Sequence, residues 1–388
     1  MIMAYFLFLI YVVTTLFLGT SVKQFLGMGG DVGFFSTIHY YSLPFLLLSA
    51  FVRRNKVVFN IYEKRMFLLL LIYFLGAKII GRSANLGVCF NILVEPILML
   101  AVLRTFASRE MNILKGLLIF FFCIECGVAM YEALFNNILF AQEVDIFDYA
   151  GNIRAYSLHG HPLQNAFIVC MLSVIFLASR MKRNIRYVLF IIGFLAIFTF
   201  NTRSSIYIMG LLMIAGAVKD FVIGKGNVVF KMVGLALLIF AIIYAFNFIM
   251  NHSLGTRLEM GLNKQDGSSM ARFVLVNAFF LIPLDELLLG VDPLSIKFFM
   301  YRYGLIGIEN SIISLIFYCG ALFSMFYFPL MFKDIYMRSL SLFQKCLIYG
   351  SLFLLLNVNN ALVSDGPVLV IPALTLFLFM RKNNFRKI

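Results

Sequence analysis

Runs of apolar residues recur along almost the whole chain, from Met1 to Met380, separated by shorter polar connectors. A helix needs about 20 predominantly apolar residues to cross the hydrocarbon core of a bilayer. In lipid every backbone N–H and C=O must be satisfied within the protein, which leaves helix bundles and closed barrels as spanning structures. The pattern here is one of continuous runs, not the short alternation of barrel strands. The fold class expected is therefore an all-α polytopic membrane protein. Composition points the same way: 62% of residues are hydrophobic and 13% charged, against about a quarter charged in a soluble domain.

The runs predict about twelve transmembrane helices: 2–20, 34–52, 66–81, 86–103, 113–134, 164–179, 186–200, 204–219, 228–250, 310–332, 345–360 and 366–380. Their unbroken rhythm makes 1–388 a single membrane domain, with no internal repeat or low-complexity linker. The N-terminus lacks the basic region and small-residue cleavage site of a secretory signal and reads as an uncleaved first span. All six cysteines (Cys89, Cys123, Cys126, Cys170, Cys319, Cys346) fall inside predicted spans, so no disulfide framework is implied.

A net charge of +14 in a soluble chain would point to nucleic acid. Its placement here excludes that reading. Of the 32 Lys and Arg, 22 fall in one of the two alternating sets of connectors, beginning with Arg53, Arg54, Lys56, Lys64 and Arg65 and ending with Arg381, Lys382, Arg386 and Lys387. Short loops rich in Lys and Arg stay cytoplasmic. This set is expected to face inward, with both termini cytoplasmic and an even number of spans in an inner-type membrane.

Two connectors of the opposite set are long, and both are expected outside. The first, 135–163, carries Glu143, Asp145 and Asp148, then Arg154-Ala-Tyr-Ser-Leu-His159-Gly-His161-Pro162. The second, 251–309, is 59 residues long. Long connectors without structure of their own are uncommon and usually functional or disordered, and this one is too apolar for disorder. Its stretch Phe273 to Leu284 is too short to span and suits an interfacial or re-entrant helix.

Arg154, Arg203, Arg257 and Arg272 stand near predicted outer boundaries, where guanidinium groups can grip phosphate oxygens bidentately. The alternative for each is an arginine that snorkels to lipid headgroups. Arg203, in the very short turn Asn201-Thr-Arg-Ser-Ser205, is held closest to the hydrocarbon edge. Glu95 and Glu125 lie inside spans, where acids face a cavity or a partner; structural pairing and a proton relay both fit. His159 and His161 form H-x-H, but two nitrogens do not define a zinc site. Packing at a helix entry and contact with a sugar or phosphate remain the readings for His161. Glu309-Asn310 closes the second loop at the start of the tenth span. Glu309 is either a base for a hydroxyl nucleophile or an acid that favours the positive end of a helix.

In four segments the chain resembles the bacterial O-antigen polymerase and O-antigen ligase superfamily. These are Arg154…His161-Pro162, Asn201-Thr-Arg203-Ser-Ser, Met270-Ala-Arg272-Phe with Leu289-Gly290-Val-Asp292, and Glu309-Asn310-x9-Gly320. Ligases usually carry His where Glu309 stands, and polymerases tolerate an acid there. The R-x10-G pattern of some polymerase loops is absent, since Gly267 follows Arg257 one residue short. The resemblance implies a GT-C-type glycosyltransferase fold with a large periplasmic loop and metal-independent, inverting catalysis with no cofactor. It implies an undecaprenyl-diphosphate-linked oligosaccharide as donor and the lipid bilayer as surroundings, with a polysaccharide chain-length regulator as a further partner. Carried onto this sequence, Arg203 and Arg272 would hold the diphosphate, with Arg154 and Arg257 second. His161 and Asn310 would contact the substrate, and Glu309 would be the base. A ligase transferring polymer to lipid A-core and a lipid-linked oligosaccharide flippase are the competing functions.

Overall fold

A computed structural model of the chain describes residues 2–27, 41–79, 86–140, 154–202, 204–213, 267–305, 308, 310–336, 341–357 and 368–380. Every regular element among them is helical. In chain order these are α1 (Ile2–Phe17), α2 (Thr20–Phe25), α3 (Leu43–Val52), α4 (Ile61–Ile79), α5 (Leu86–Cys89), a π turn (Phe90–Val94), α6 (Glu95–Leu103), α7 (Ser108–Phe135), α8 (Pro162–Ala178) and α9 (Arg183–Phe200). They continue with α10 (Ser204–Met213), α11 (Gly267–Phe279), α12 (Leu284–Leu289), α13 (Pro293–Arg302), α14 (Ser311–Cys319), α15 (Ala321–Tyr336), α16 (Leu342–Asn357) and α17 (Val370–Met380). By length and composition α7 and α9 are apolar enough to cross a bilayer, and several shorter apolar helices accompany them. The predicted span 228–250 lies outside the described residues.

Helix α8 is the core, with Phe167, Cys170, Leu172 and Phe176 fully buried among α7, α9, α16 and α17. Around it the bundle leaves large apolar side chains in the open, among them Leu68, Ile72, Phe120, Val188, Leu211 and Met325. A broad exposed apolar surface suits lipid far better than water.

Capping chemistry sets several boundaries that hydropathy missed. The third span was expected from 66, yet α4 begins at Ile61. Asn60 Oδ1 accepts the Tyr62 and Glu63 N–H groups at 2.8 and 2.9 Å, and Glu63 Oε2 accepts the Asn60 N–H at 2.6 Å. This reciprocal pair is a capping box and starts the helix a turn early. Glu63 is fully buried and also takes the Arg104 guanidinium in a two-pronged pair at 2.8 and 2.5 Å, so its charge is not left alone. At the far ends of α7 and α9, Asn136 and Asn201 close the helices in the left-handed conformation.

Two expectations need correction. The tenth span, predicted as one helix over 310–332, is two helices broken at Gly320, and the apolar stretch 273–284 is not one helix. Instead α11 stops at Phe279, the chain turns through Pro283, and α12 follows. The second break falls where Pro283 cannot continue a helix, and the first comes from one contact. Gly290 (φ +95°) and Gly320 (φ +88°) face each other, and a Cβ on Gly320 would meet the Leu288 carbonyl oxygen at 2.5 Å and the Leu289 carbonyl carbon at 2.8 Å. Beside them the Val291 N–H donates to the Phe317 carbonyl at 2.7 Å. The described part of the second long loop, 267–305, is thus built of helices, and its α12–α13 joint is fastened to the α14–α15 break. A small core of Leu275, Val291, Ile296, Leu305, Ile308 and Phe317 holds it there.

The ends of the bundle differ in charge. Gln344, opening α16, donates its side-chain amide to the Ala178 carbonyl at the close of α8. Arg186 at the start of α9 reaches the Leu177 and Ser179 carbonyls. Tyr5 donates to the Glu110 carbonyl, Arg104 pairs with Glu63, and Lys333 lies over the Tyr62 ring at 5.4 Å. This end gathers Arg53, Lys64, Arg65, Arg104, Arg109, Arg183, Arg186 and Lys333.

Gly320→Ala should lower stability by about 2 kcal/mol or more, because a non-glycine residue at this φ costs about 1–3 kcal/mol before the backbone clash is added. Thermal unfolding in detergent, compared with Gly350→Ala, where a Cβ meets nothing within 4 Å, measures the difference.

Candidate functional site

The opposite end carries the candidate residues that are described. Helix α8 begins there. Asn310, just before α14, donates its amide to the Asn357 carbonyl, which closes α16 at the far end from Gln344. Arg154, His161 and Asn310 therefore share one end of the bundle, away from the basic one.

At this end the chain from Arg154 to His161 forms a turn that packs under the end of α9. The Arg154 Nε–H donates to the Phe200 carbonyl at 3.1 Å, and the Ala155 N–H donates to the Thr199 carbonyl at 3.1 Å. The first two segments quoted for the resemblance thus meet, with Asn201 and Thr202 buried alongside. A left-handed Ser157 (φ 45°) lets the turn reverse. His159 points inward and sets its ring edge-on to Phe121 at 5.8 Å. His161 points out, and its Nδ1 accepts the Leu163 N–H at 3.2 Å as the cap of α8, with Pro162 as the first helical residue. The H-x-H pair therefore faces two ways.

Two buried acids support the turn, and one of them escaped the sequence analysis. Glu132, with no solvent exposure, accepts the Tyr156 and Ser157 N–H groups at 2.8 and 2.9 Å and the Leu139 N–H at 3.1 Å. It holds both ends of the first long loop at once. A single acid near a helix end gives no sequence signal for this role, since its partners are backbone groups seven and more residues away. Glu125, two turns deeper on α7, lies beside the Ser157 hydroxyl and the Leu158 N–H without a hydrogen bond of normal geometry among the described residues. Ser157 donates instead to the Glu125 carbonyl at 3.1 Å. Asn165 donates its amide to the Tyr156 carbonyl.

The second group of candidates sits with the second loop. Asn310 accepts the Ile312 and Ile313 N–H groups at 3.0 Å through its side-chain oxygen, which caps α14. Arg272 lies half-buried on α11, whose Phe279 ring stacks on Phe317 of α14 at 5.8 Å. The third and fourth segments meet at Gly290 and Gly320. A cavity of about 530 Å³ opens between α11, α12, α13 and Phe317, lined by Glu286, Ser295, Phe298, Phe299, Arg302 and Tyr303 among others. Glu286 and Arg302 were visible in the sequence as loop charges, but nothing there set them around one cavity. The mix of aromatic faces, a carboxylate and a guanidinium could hold a polar ligand with apolar faces.

Arg203, Arg257 and Glu309 lie outside the described residues, as do 141–153 of the first loop and 251–266 of the second. Among the described residues no three His, Cys, Asp or Glu side chains stand where they could hold a metal ion. No family model, curated protein or solved structure matches the chain.

Glu132→Ala should cost on the order of 3 kcal/mol, since it strands three backbone donors at about 1 kcal/mol or more each when buried. The expected readout is a lower melting temperature in detergent, together with faster proteolysis between Phe135 and Pro162.

Proposed function

We propose that the protein is an O-antigen polymerase, an inverting glycosyltransferase of GT-C type with about twelve spans in a bacterial inner membrane. In this reading the basic end of the bundle faces the cytoplasm, and the end with Arg154, His161 and Asn310 faces the periplasm. The observation that carries it is the pairing of the four resembling segments: Arg154 on the Phe200 carbonyl beside Asn201 and Thr202, and Gly290 on Gly320. Residues far apart in sequence, which the resemblance would place at one active site, are drawn together within each of two pairs of segments.

The reaction joins two lipid-linked repeat units. An acceptor sugar hydroxyl attacks the anomeric carbon of the donor glycan, the bond from that carbon to the diphosphate oxygen breaks, and undecaprenyl diphosphate leaves. The growing glycan thus gains its next unit at the reducing end. Arg203 and Arg272 hold the diphosphate and stabilise its developing charge, with Arg154 and Arg257 in support. Glu309 takes the hydroxyl proton. Asn310 serves the site by capping the start of α14. A chain-length regulator is a fitting partner on the same face.

A ligase shares this fold and donor, and Glu309 in place of His argues for the polymerase. One observation favours a transporter instead. Glu95 is buried at the π turn and accepts the Tyr11 hydroxyl at 3.0 Å, a polar site deep in the helices of the kind transporters use.

Purified protein incubated with the intact lipid-linked repeat unit should build a ladder of products. Arg203→Ala and Arg272→Ala should each slow it by about 100-fold, the usual cost of removing one charge-stabilising group, and Glu309→Gln should slow it as much. No elongation by the wild type, or normal ladders from all three variants, would contradict the proposal. In a deletion strain, lipopolysaccharide with a single repeat indicates a polymerase, and unligated polymer indicates a ligase.

A further inference from the structure

We infer that a groove between α4 and α15 is a binding site for an anionic phospholipid, with the phosphate at Arg65 and an acyl chain along the helices. The groove has a volume of about 640 Å³. Its walls are Leu68, Leu69, Ile72, Tyr73, Gly76 and Ala77 on one side and Leu322, Phe323, Phe326, Pro329 and Leu330 on the other, and Leu288 and Leu289 of α12 stop its upper end. Such walls offer nothing to a polar ligand and a full length of contact to a hydrocarbon chain.

Three features specify the occupant. Charge sits at one end only: Arg65 lines the mouth, is exposed, and makes no ion pair among the described residues. One turn away on α4, Tyr62 carries Lys333 over its ring at 5.4 Å, so a second cation from α15 stands at the same mouth. Basic pockets between membrane helices are the usual seats of anionic headgroups. The length also fits. Arg65 and Gly76 are eleven residues apart, or about 17 Å along a helix, close to half of the ~30 Å hydrocarbon thickness and so to one leaflet.

The third feature is shape. Tyr73 donates to the Tyr318 carbonyl of α14 at 2.9 Å and packs its ring on Phe323 of α15 at 5.2 Å, which fastens α4 to both helices along the wall of the groove. Gly76 carries no side chain, and a Cβ there would meet nothing within 4 Å. The site opens at the end of the bundle opposite Arg154 and Asn310, so its lipid is not the donor held at the candidate active site. The site depends on the membrane-spanning part of the reading above and not on the polymerase activity. With the proposed orientation, the lipid belongs to the cytoplasmic leaflet.

The test uses the full chain purified in detergent, with dioleoyl phosphatidylglycerol and dioleoyl phosphatidylcholine as probes and native mass spectrometry as the readout. Phosphatidylglycerol should be retained at least tenfold more tightly than phosphatidylcholine. Arg65→Gln should bring that ratio to within about threefold, with Lys333→Gln intermediate. Gly76→Phe, whose Cβ meets nothing within 4 Å and whose ring would take up space in the groove, should weaken both lipids at this site. Equal retention of the two lipids by the wild type would overturn the inference, as would a selectivity unchanged in Arg65→Gln or binding unchanged in Gly76→Phe. Because no glycan is involved, a protein that elongates glycan but shows no lipid preference would refute this site alone. One that prefers phosphatidylglycerol but fails to elongate would refute only the polymerase reading.

Discussion

The structure depends on one constraint: an apolar environment gives the backbone no partners, so every interruption of a helix must be satisfied by the protein itself. Three interruptions show how this chain meets it. The π turn at Phe90–Val94 displaces carbonyls from the helical ladder, and the fully buried Tyr327 hydroxyl donates to the Ile92 carbonyl at 2.8 Å. Between α14 and α15, the Val291 N–H of a different segment takes the Phe317 carbonyl. At the mouth of the first long loop, Glu132 collects three N–H groups that no helix uses. Each repair joins segments distant in sequence, so the irregular positions are also the ones that fix tertiary structure.

This explains where the candidate residues sit. Chemistry needs irregular backbone and polar groups, and an apolar bundle can accommodate them only where such repairs exist. The Arg154–His161 turn exists because Glu132 and Asn165 satisfy it, and the α12–α13 joint exists because Gly290 and Gly320 allow two backbones to touch. Charge follows the same logic at larger scale. Among the described residues Arg53, Lys64, Arg65, Arg104, Arg109, Arg183, Arg186 and Lys333 gather at the end where α8 closes and α16 opens, while Arg154, His161 and Asn310 occupy the other. Two ends of unlike charge are what a helical bundle lying across a membrane requires.

Much of this was legible in the sequence. Apolar run length placed α7, α8, α9 and α16 to within a few residues, because burial in lipid is a property of summed hydrophobicity. The short-range signals were legible but easily outvoted by hydropathy: Asn60-Ile-Tyr-Glu63 spells a capping box, and it moved the start of α4 by five residues. Gly320 was recognisable as part of a motif but not as a helix break, since the break depends on Gly290 thirty residues earlier. Glu132 was invisible for a similar reason. Its partners are backbone groups, and any residue type can supply those. The outward turn of His161 and the inward turn of His159 were equally hidden, because a two-residue spacing in a turn does not fix direction.

The most direct test of the account is the sidedness of the two ends of the bundle. Single cysteines at Ser295 on α13 and Ser108 at the start of α7, both exposed, can be placed in a background without native cysteines and probed in intact cells with a membrane-impermeant maleimide. Ser295→Cys should label in intact cells, and Ser108→Cys only after the membrane is opened. Equal labelling of both in intact cells, or the reverse order, would contradict a bundle that spans the membrane with its candidate site outside.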